Sequence, residues 1–362
     1  MASVEIREIR KSYGKEEALQ GVSFRVQDAE LFCLLGPPGT GKTTLLRLIA
    51  GLERPDAGEI LIGGEVVNQI PAQERDVAMI FEDAALYPHL TGFGNIAYPL
   101  RLRKLPRPEI ENRVHQVAEM LHIEHILDRR PATFSGGELR RVAIARALVR
   151  QPRVLLLDQP FTDLDAKVRQ EMTGELKHLQ GEVGQTMILA THDFEEGMIA
   201  DRLAVMHRGK IHQLASPKEV YDAPATTFAA QFVGSPAMNL FACELEPAES
   251  GCVAVHHDFR LPLPWRPEPL PSRVWLGIRP ERIEWESGGI PARVEVVQIL
   301  GEEQIVDLTL ENGTGFKWVI PIAELGMLRR GDRVELRFPL QAVYVFDEQS
   351  GLLLWRKEAQ CA

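Results

Sequence analysis

Residues Gly36-Pro37-Pro38-Gly39-Thr40-Gly41-Lys42-Thr43-Thr44 carry the spacing G-x-x-x-x-G-K-[ST]. Glycines at these positions let the backbone wrap closely around an anion, so successive N–H groups and a helix N-terminus can point at phosphate oxygens. Lys42 can neutralise the outer phosphates, and Thr43 can offer its hydroxyl to Mg²⁺. The chemistry is that of a nucleotide site for ATP or GTP. A second candidate is Asp158, which ends the apolar run Val154-Leu155-Leu156-Leu157. A carboxylate at that place either stands beside the Mg²⁺ of the nucleotide or starts a turn. Glu82 closes another apolar run, Val77 to Phe81, and His192 follows Met187 to Ala190. A histidine at a strand end is either a satisfied polar residue or, in an open α/β sheet, a group facing the ligand. Tyr13, beside Gly14, can cover a nucleotide base or anchor a turn.

Positioning these groups needs strands that stop where the polar residues begin. Leu31 to Leu35 reads as a buried parallel strand before the glycine-rich stretch, and Leu45 to Ala50 opens an amphipathic helix after it. Val4 to Ile9 and Val22 to Val26 alternate as strands, with a turn expected at Gly21. Gly58 to Gly64 reads as a hairpin strand. Apolar residues recur at helical spacing from Glu109 to Leu127, which predicts a mostly helical insertion over about 86–150 with Met120 in its core. Ser135, followed by Gly136, Gly137 and Glu138, is placed to cap a long helix. Two glycines there leave N–H groups uncovered, so this start is either a plain cap or an anion-attracting end.

A chain of 362 residues exceeds what one core usually holds, so two domains are expected. Hydrophobic residues make up 45% and charged ones 25%, an ordinary balance that excludes disorder. The net charge of −10 argues against a general partner for nucleic acid. Cys33, Cys243, Cys252 and Cys361 are scattered without a C-x-x-C pair, which fits a reducing cytoplasm better than a zinc site or disulfide framework. The first residues lack a signal pattern, and no apolar run approaches the roughly 18 to 20 residues of a membrane span. Any membrane role is therefore expected to come through a partner.

Taken together, the order of these motifs resembles that of the ATP-binding subunits of ABC transporters, over about residues 4–235. The resemblance implies that Tyr13 stacks on adenine, Gly36 to Thr44 form the phosphate loop and Glu82 takes the Q-loop position. It also implies that Ser135 to Glu138 are the signature motif, Asp158 the Walker B aspartate, Thr162-Asp163-Leu164-Asp165 the D-loop and His192 the switch histidine. Stretches at Val233 to Asn239 and Leu276 to Glu281 are similar to those of the carbohydrate-uptake branch, the maltose and glycerol-phosphate importer ATPases. That branch carries a small β-rich regulatory domain of the OB-like type. Alternating runs at Arg293 to Val297, Gln304 to Leu310, Val334 to Phe338 and Val343 to Phe346 agree with it, and Leu261 to Pro271 reads as an extended loop. The expected fold is an α/β P-loop ATPase domain over 1–235 with its helical subdomain, then an OB-like β domain over 236–362.

The resemblance further implies two chains sandwiching ATP and Mg²⁺, each phosphate loop facing the other chain's Ser135, Gly136 and Gly137, with Asp163 contributing. Homodimer and heterodimer both remain open. Two transmembrane permease subunits would dock near Ala84 to Thr91, with a solute-binding protein indirectly engaged, at the cytoplasmic face of the membrane. A soluble ABC protein of translation or repair is disfavoured, because no second G-x-x-x-x-G-K-[ST] occurs. Three positions depart from the family. Gln159 stands where a glutamate polarises the attacking water, Glu82 where a glutamine is usual, and Glu138 replaces the last glutamine of the signature. An amide cannot accept a proton, so slow hydrolysis or a non-hydrolytic partner subunit is expected; Glu82 can act as an Mg²⁺ ligand or a substitute base.

Overall fold

The computed structural model describes residues 2–83, 85–162 and 164–357. Packing divides the chain into two units, Met1–Glu219 and Val220–Ala362. The first opens with β1 (Val4–Tyr13) and β2 (Glu16–Val26), then β3 (Leu31–Leu35), α1 (Lys42–Ala50), β4 (Ala57–Ile62), β5 (Glu65–Val66) and β6 (Val77–Ile80). Helices α2 (Gly92–Leu102), α3 (Arg107–Met120) and α4 (Gly136–Leu148) stand between β6 and β7 (Val154–Asp158). After them come α5 (Ala166–Val183), β8 (Thr186–Thr191), α6 (Phe194–Gly197), β9 (Arg202–His207) and β10 (Lys210–Ala215).

Two sheets enclose the first core. One has the order β2-β1-β4-β5 and is antiparallel; the other runs β10-β9-β3-β8-β7-β6, parallel throughout except for β10. Strands β3, β7 and β8 are buried at every residue, as expected of parallel strands covered on both faces. Leu45, Leu46, Leu48 and Ile49 of α1 share one cluster with Val4 and Ile6 of the first sheet and Leu34, Leu156 and Ile188 of the second. The helix that follows the glycine-rich stretch is thus held from both sides. The loops after β3, β7 and β8, whose ends are in register, therefore converge at one edge.

Several local expectations need correction. The first turn falls at Gly14 and Lys15, while Gly21 lies inside β2, where its φ of 80° serves an irregular register rather than a reversal. The helix begun near Glu109 stops at Met120; His122 takes a left-handed φ of 55°, and Ile123 and Ile126 reach the core from a turn. Loop burial copied the helical spacing. Met120, expected in the core, is 38% exposed, and Phe81 lies outside β6 at 40%.

The second unit follows α7 (Pro217–Asp222), within which the packing division falls, and contains α8 (Thr227–Phe232), β11 (Asn239–Ala248), β12 (Gly251–Val255), β13 (Arg260–Leu263) and β14 (Arg273–Ile278). Then come β15 (Glu284–Leu300), β16 (Glu303–Thr309), β17 (Gly315–Pro321), α9 (Ile322–Leu325), β18 (Arg333–Arg337), β19 (Val343–Asp347) and β20 (Leu353–Arg356). Antiparallel sheets β13-β12-β11-β14-β19-β20 and β17-β16-β15-β18 share a core built on Phe241, Phe316, Trp318 and Phe338. The start of the proline-rich stretch is not a loop but edge strand β13, where Pro262 has no outer neighbour needing its missing N–H.

Residues 220–235 group with this second unit because Arg279 reaches into them. Its buried guanidinium donates to Ala230 O at 3.0 Å, to Tyr221 O at 2.8 Å and to Val233 O, and stacks on the Tyr221 ring. Arg279→Ala strands three carbonyls and is expected to cost the second unit about 3 to 5 kcal/mol. All five tryptophans, Trp265, Trp275, Trp285, Trp318 and Trp355, lie in this unit. Urea unfolding of the full chain followed by tryptophan fluorescence therefore reads it selectively, and an unshifted midpoint would refute the assigned role.

Candidate nucleotide site

The turn from β3 into α1 is shaped by two glycines whose neighbours leave no room for a side chain. A Cβ on Gly36 would lie 2.2 Å from Met206 O, and one on Gly41, at φ 96°, would lie 2.6 Å from Ala18 O. Gly41 caps α1 without a side-chain hydrogen bond, so the first-turn N–H groups are not taken by a cap. The Lys42 ammonium donates to Gly36 O at 2.6 Å and Pro37 O at 2.9 Å, which holds it over the loop. Burial pushes its pKa down to about 8. Thr40 closes the loop by donating to Pro37 O at 3.0 Å.

Thr43 and Asp158 meet across 115 residues of chain. The Thr43 hydroxyl donates to Asp158 Oδ1 at 3.0 Å. The Asp158 carboxyl is raised above its ordinary pKa, chiefly by burial, and the nearby Glu82 charge pushes the same way. A buried carboxylate beside a hydroxyl is a hard oxygen pair that suits a small divalent cation. Among the described residues no group of three or more His, Cys, Asp or Glu side chains forms a metal cage. A cation held by Thr43 and Asp158 would therefore complete its shell with phosphate oxygens and water.

Beyond Asp158 the chain turns sharply. Gln159 takes a left-handed φ of 46°, uncommon for a residue with a side chain, and its N–H donates to Ala190 O at 2.8 Å. This aims its side chain between two other candidates. Its amide nitrogen lies 3.5 Å from Glu82 Oε2, and its Oε1 is 2.9 Å from His192 Nδ1. Tyr13 ends β1 half-exposed, its hydroxyl donating to Glu53 and Lys11 lying over its ring.

A pattern for the ABC transporter family matches residues 19–162, one for the MalK OB fold domain residues 234–283, and one for the TOBE domain residues 276–346. The sn-glycerol-3-phosphate import ATP-binding protein UgpC of Cereibacter sphaeroides is 44% identical over 97% of this chain and 99% of its own length. This chain belongs to the ABC transporter ATP-binding subunits, in the carbohydrate-importer branch. The trehalose/maltose import ATP-binding protein MalK of Thermococcus litoralis is 43% identical over 97% of this chain and 99% of its own. Among solved structures, cbiO1 of Clostridium perfringens matches with a TM-score of 0.57 at 30% identity, covering 60% of this chain and 89% of that one. An ATP-binding cassette in a dimeric post-hydrolysis state with ADP and Pi matches with a TM-score of 0.54 at 29% identity, covering 59% and 98%.

As an ABC ATPase, the chain binds nucleotide, and its Ser135 opens α4. That start is a full capping box: the Glu138 N–H donates to Ser135 Oγ at 3.2 Å, and the Ser135 N–H donates to Glu138 Oε2 at 2.7 Å. Glutamine at 138 could accept the same bond. Arg129, at 3.1 Å, offsets the added charge. Asp163, expected in the D-loop, lies outside the described residues.

Side chains that sequence reasoning passed over hold this ABC site in place. Buried Arg140, on α4, donates to Phe81 O at 3.1 Å and Glu82 O at 2.7 Å, fixing the backbone that carries Glu82. Arg169 donates to Leu164 O at 3.1 Å and Asp193 Oδ2 at 3.1 Å, tying Leu164 to the residue after His192. Thr191 donates to the buried Glu196 at 2.5 Å. Only Arg140 carried a sequence signal, a charge among the apolar residues of α4.

Proposed function

We propose that this chain energises the import of a sugar, polyol or glycerol phosphate by binding and slowly hydrolysing Mg·ATP. The observation that carries the reading is the meeting of Lys42, Thr43 and Asp158 at one sheet edge in a chain similar over nearly its full length to UgpC and MalK. Mg²⁺, when bound, supplies charge compensation at the phosphates. Thr43 and Asp158 hold it, with Glu82 within electrostatic reach, while Lys42 and the backbone of residues 36–44 orient the phosphates and Tyr13 covers the base. Two such subunits close on ATP, each presenting Ser135, Gly136 and Gly137, with Asp163, to the nucleotide of the other.

No described helix is long and apolar enough to cross a membrane. In this reading the membrane work falls to two permease subunits, which this chain meets from the cytoplasmic side near residues 84–91, of which Ala84 lies outside the described residues; a solute-binding protein engages the permeases, and nucleic acid has no part. The buried Asn95 supports that docking loop, accepting from Tyr87 N at 2.7 Å and donating to Tyr87 O at 3.1 Å and Thr91 O at 3.0 Å. Gln159 favours a second reading, in which the chain binds ATP in a heterodimer and leaves chemistry to the partner's glutamate.

The full chain purified from its host membrane is expected to bring permease subunits with it and, once freed of them, to dimerise on adding Mg·ATP, as read by light scattering. Absence of both would overturn the assignment. A homodimer that releases phosphate would exclude the non-hydrolytic reading.

A further inference from the structure

Hydrolysis of ATP needs a group to take a proton from the attacking water. Four side chains gather where β6, β7 and β8 end, and two are poorly suited. Asp158 is engaged by Thr43 and suits the cation, and Gln159 is an amide with no proton-accepting charge. His192 faces the accepting Gln159 Oε1 with its Nδ1, which leaves Nε2 as a neutral acceptor in competition with the carboxylate. The fourth, Glu82, is an exposed carboxylate bridged to the same amide at 3.5 Å, and its backbone is pinned by Arg140 at 2.7 Å. A carboxylate carried on a pinned backbone and steered by a hydrogen bond has both the charge and the fixed placement that a general base uses.

We propose that Glu82 is the proton acceptor of this ATPase and that Gln159 is a positioning residue, its amide orienting Glu82 on one side and His192 on the other. The proposal rests on the ATP-hydrolysing reading of the site. In the step, the water oxygen forms a bond to the γ-phosphorus while the bond from that phosphorus to the β–γ bridging oxygen breaks. The electron pair leaves on ADP, and the water's proton passes to a Glu82 carboxylate oxygen and then to solvent. Turnover is slower than it would be with the pair exchanged, carboxylate at 159 and amide at 82, because Glu82 sits in an exposed loop and is less closely confined than a residue on the end of β7.

The local chemistry also dictates what cannot be combined. Glutamate at 159 with Glu82 retained would set two carboxylates where an amide and a carboxylate now share a hydrogen bond, and like charges at that separation repel. The arrangement tolerates one carboxylate and one amide, in either order.

The test uses the full-length chain and the variants Glu82→Gln, Gln159→Glu, their double exchange and His192→Ala. Three readouts are taken: phosphate release, affinity for a fluorescent ATP analogue with Mg²⁺, and the melting temperature of nucleotide-free protein. Glu82→Gln is expected to lower phosphate release about 10²-fold, the low end for a general base, while analogue affinity changes less than about threefold. Gln159→Glu alone is expected to lower the nucleotide-free melting temperature without raising phosphate release, and the double exchange to recover the first and exceed the parent in the second. Full phosphate release by Glu82→Gln would overturn the assignment, as would a rise with Gln159→Glu alone. A loss confined to His192→Ala would transfer the base to histidine and overturn it too. Weakened analogue affinity in Glu82→Gln that extra Mg²⁺ restores would make Glu82 a cation ligand instead. A parent that binds the analogue yet releases no phosphate overturns the base at Glu82; one that binds none overturns the nucleotide reading beneath it.

Discussion

Lys42→Ala is expected to weaken the binding of a fluorescent ATP analogue by about 10²- to 10⁴-fold. Charge-assisted hydrogen bonds are worth roughly 1.5 to 3 kcal/mol each, and two of them between the ammonium and phosphate oxygens convert to that range at about 1.4 kcal/mol per decade. The loop itself survives the change, because its shape rests on Gly36, Gly41 and the Thr40 bond to Pro37. The pH dependence provides a second signature. Burial holds the Lys42 pKa near 8 without nucleotide, and an anion bound beside it favours the charged form and raises that value. Affinity in the parent is therefore flat below pH 8 and falls as pH rises above it, at most tenfold per unit, with proton uptake on binding. The variant has no such slope. Titrations across pH 6 to 10 decide the matter, and a Lys42→Ala protein that binds like the parent would place the nucleotide elsewhere.

Asp158→Asn should uncouple nucleotide from Mg²⁺. The asparagine keeps the size of the side chain and can still accept from the Thr43 hydroxyl at the 3.0 Å position, so only the charge is lost. Lewis-acid assistance is worth several kcal/mol, so phosphate release is expected to fall by about 10² or more, and affinity measured with and without Mg²⁺ to become equal. Removing the charge also relieves the fold. The carboxyl is raised above 3.8 chiefly by burial, so its cost is absent below pH 3.8, grows as pH rises through the raised value and is fully present at neutral pH. The nucleotide-free variant should therefore melt higher than the parent at pH 7 and not at pH 3. Continued Mg²⁺ stimulation in Asp158→Asn would remove Asp158 from the cation site.

The sequence by itself determined the parts whose cause is local. A glycine-rich turn between a buried strand and a helix follows from residue types alone, because steric freedom at Gly36 and Gly41 and the apolar runs around them leave few other structures. The same holds for Asp158 at the end of an apolar strand, for Ser135 as a helix cap, and for the alternating strands of the second unit. Where apolar spacing was ambiguous, the chain chose by packing: Ile123 and Ile126 are buried from the turn and the short 3-10 segment that follow α3, and Met120 is partly exposed. Pro262 found an edge that composition could not reveal.

Only the tertiary structure decided which polar groups touch. Glu82 and Gln159 are 77 positions apart, and each alone reads as a departure from a family pattern; side by side at 3.5 Å, with His192 at 2.9 Å from the amide, they become one hydrogen-bonded set. Arg140 and Arg169 gave no motif, since a guanidinium on a helix has meaning only through the carbonyls and carboxylates it meets. Periodicity reports which face of an element is buried. Which charges share a site depends on strand order and register, and those are set by long-range pairing that no local window contains.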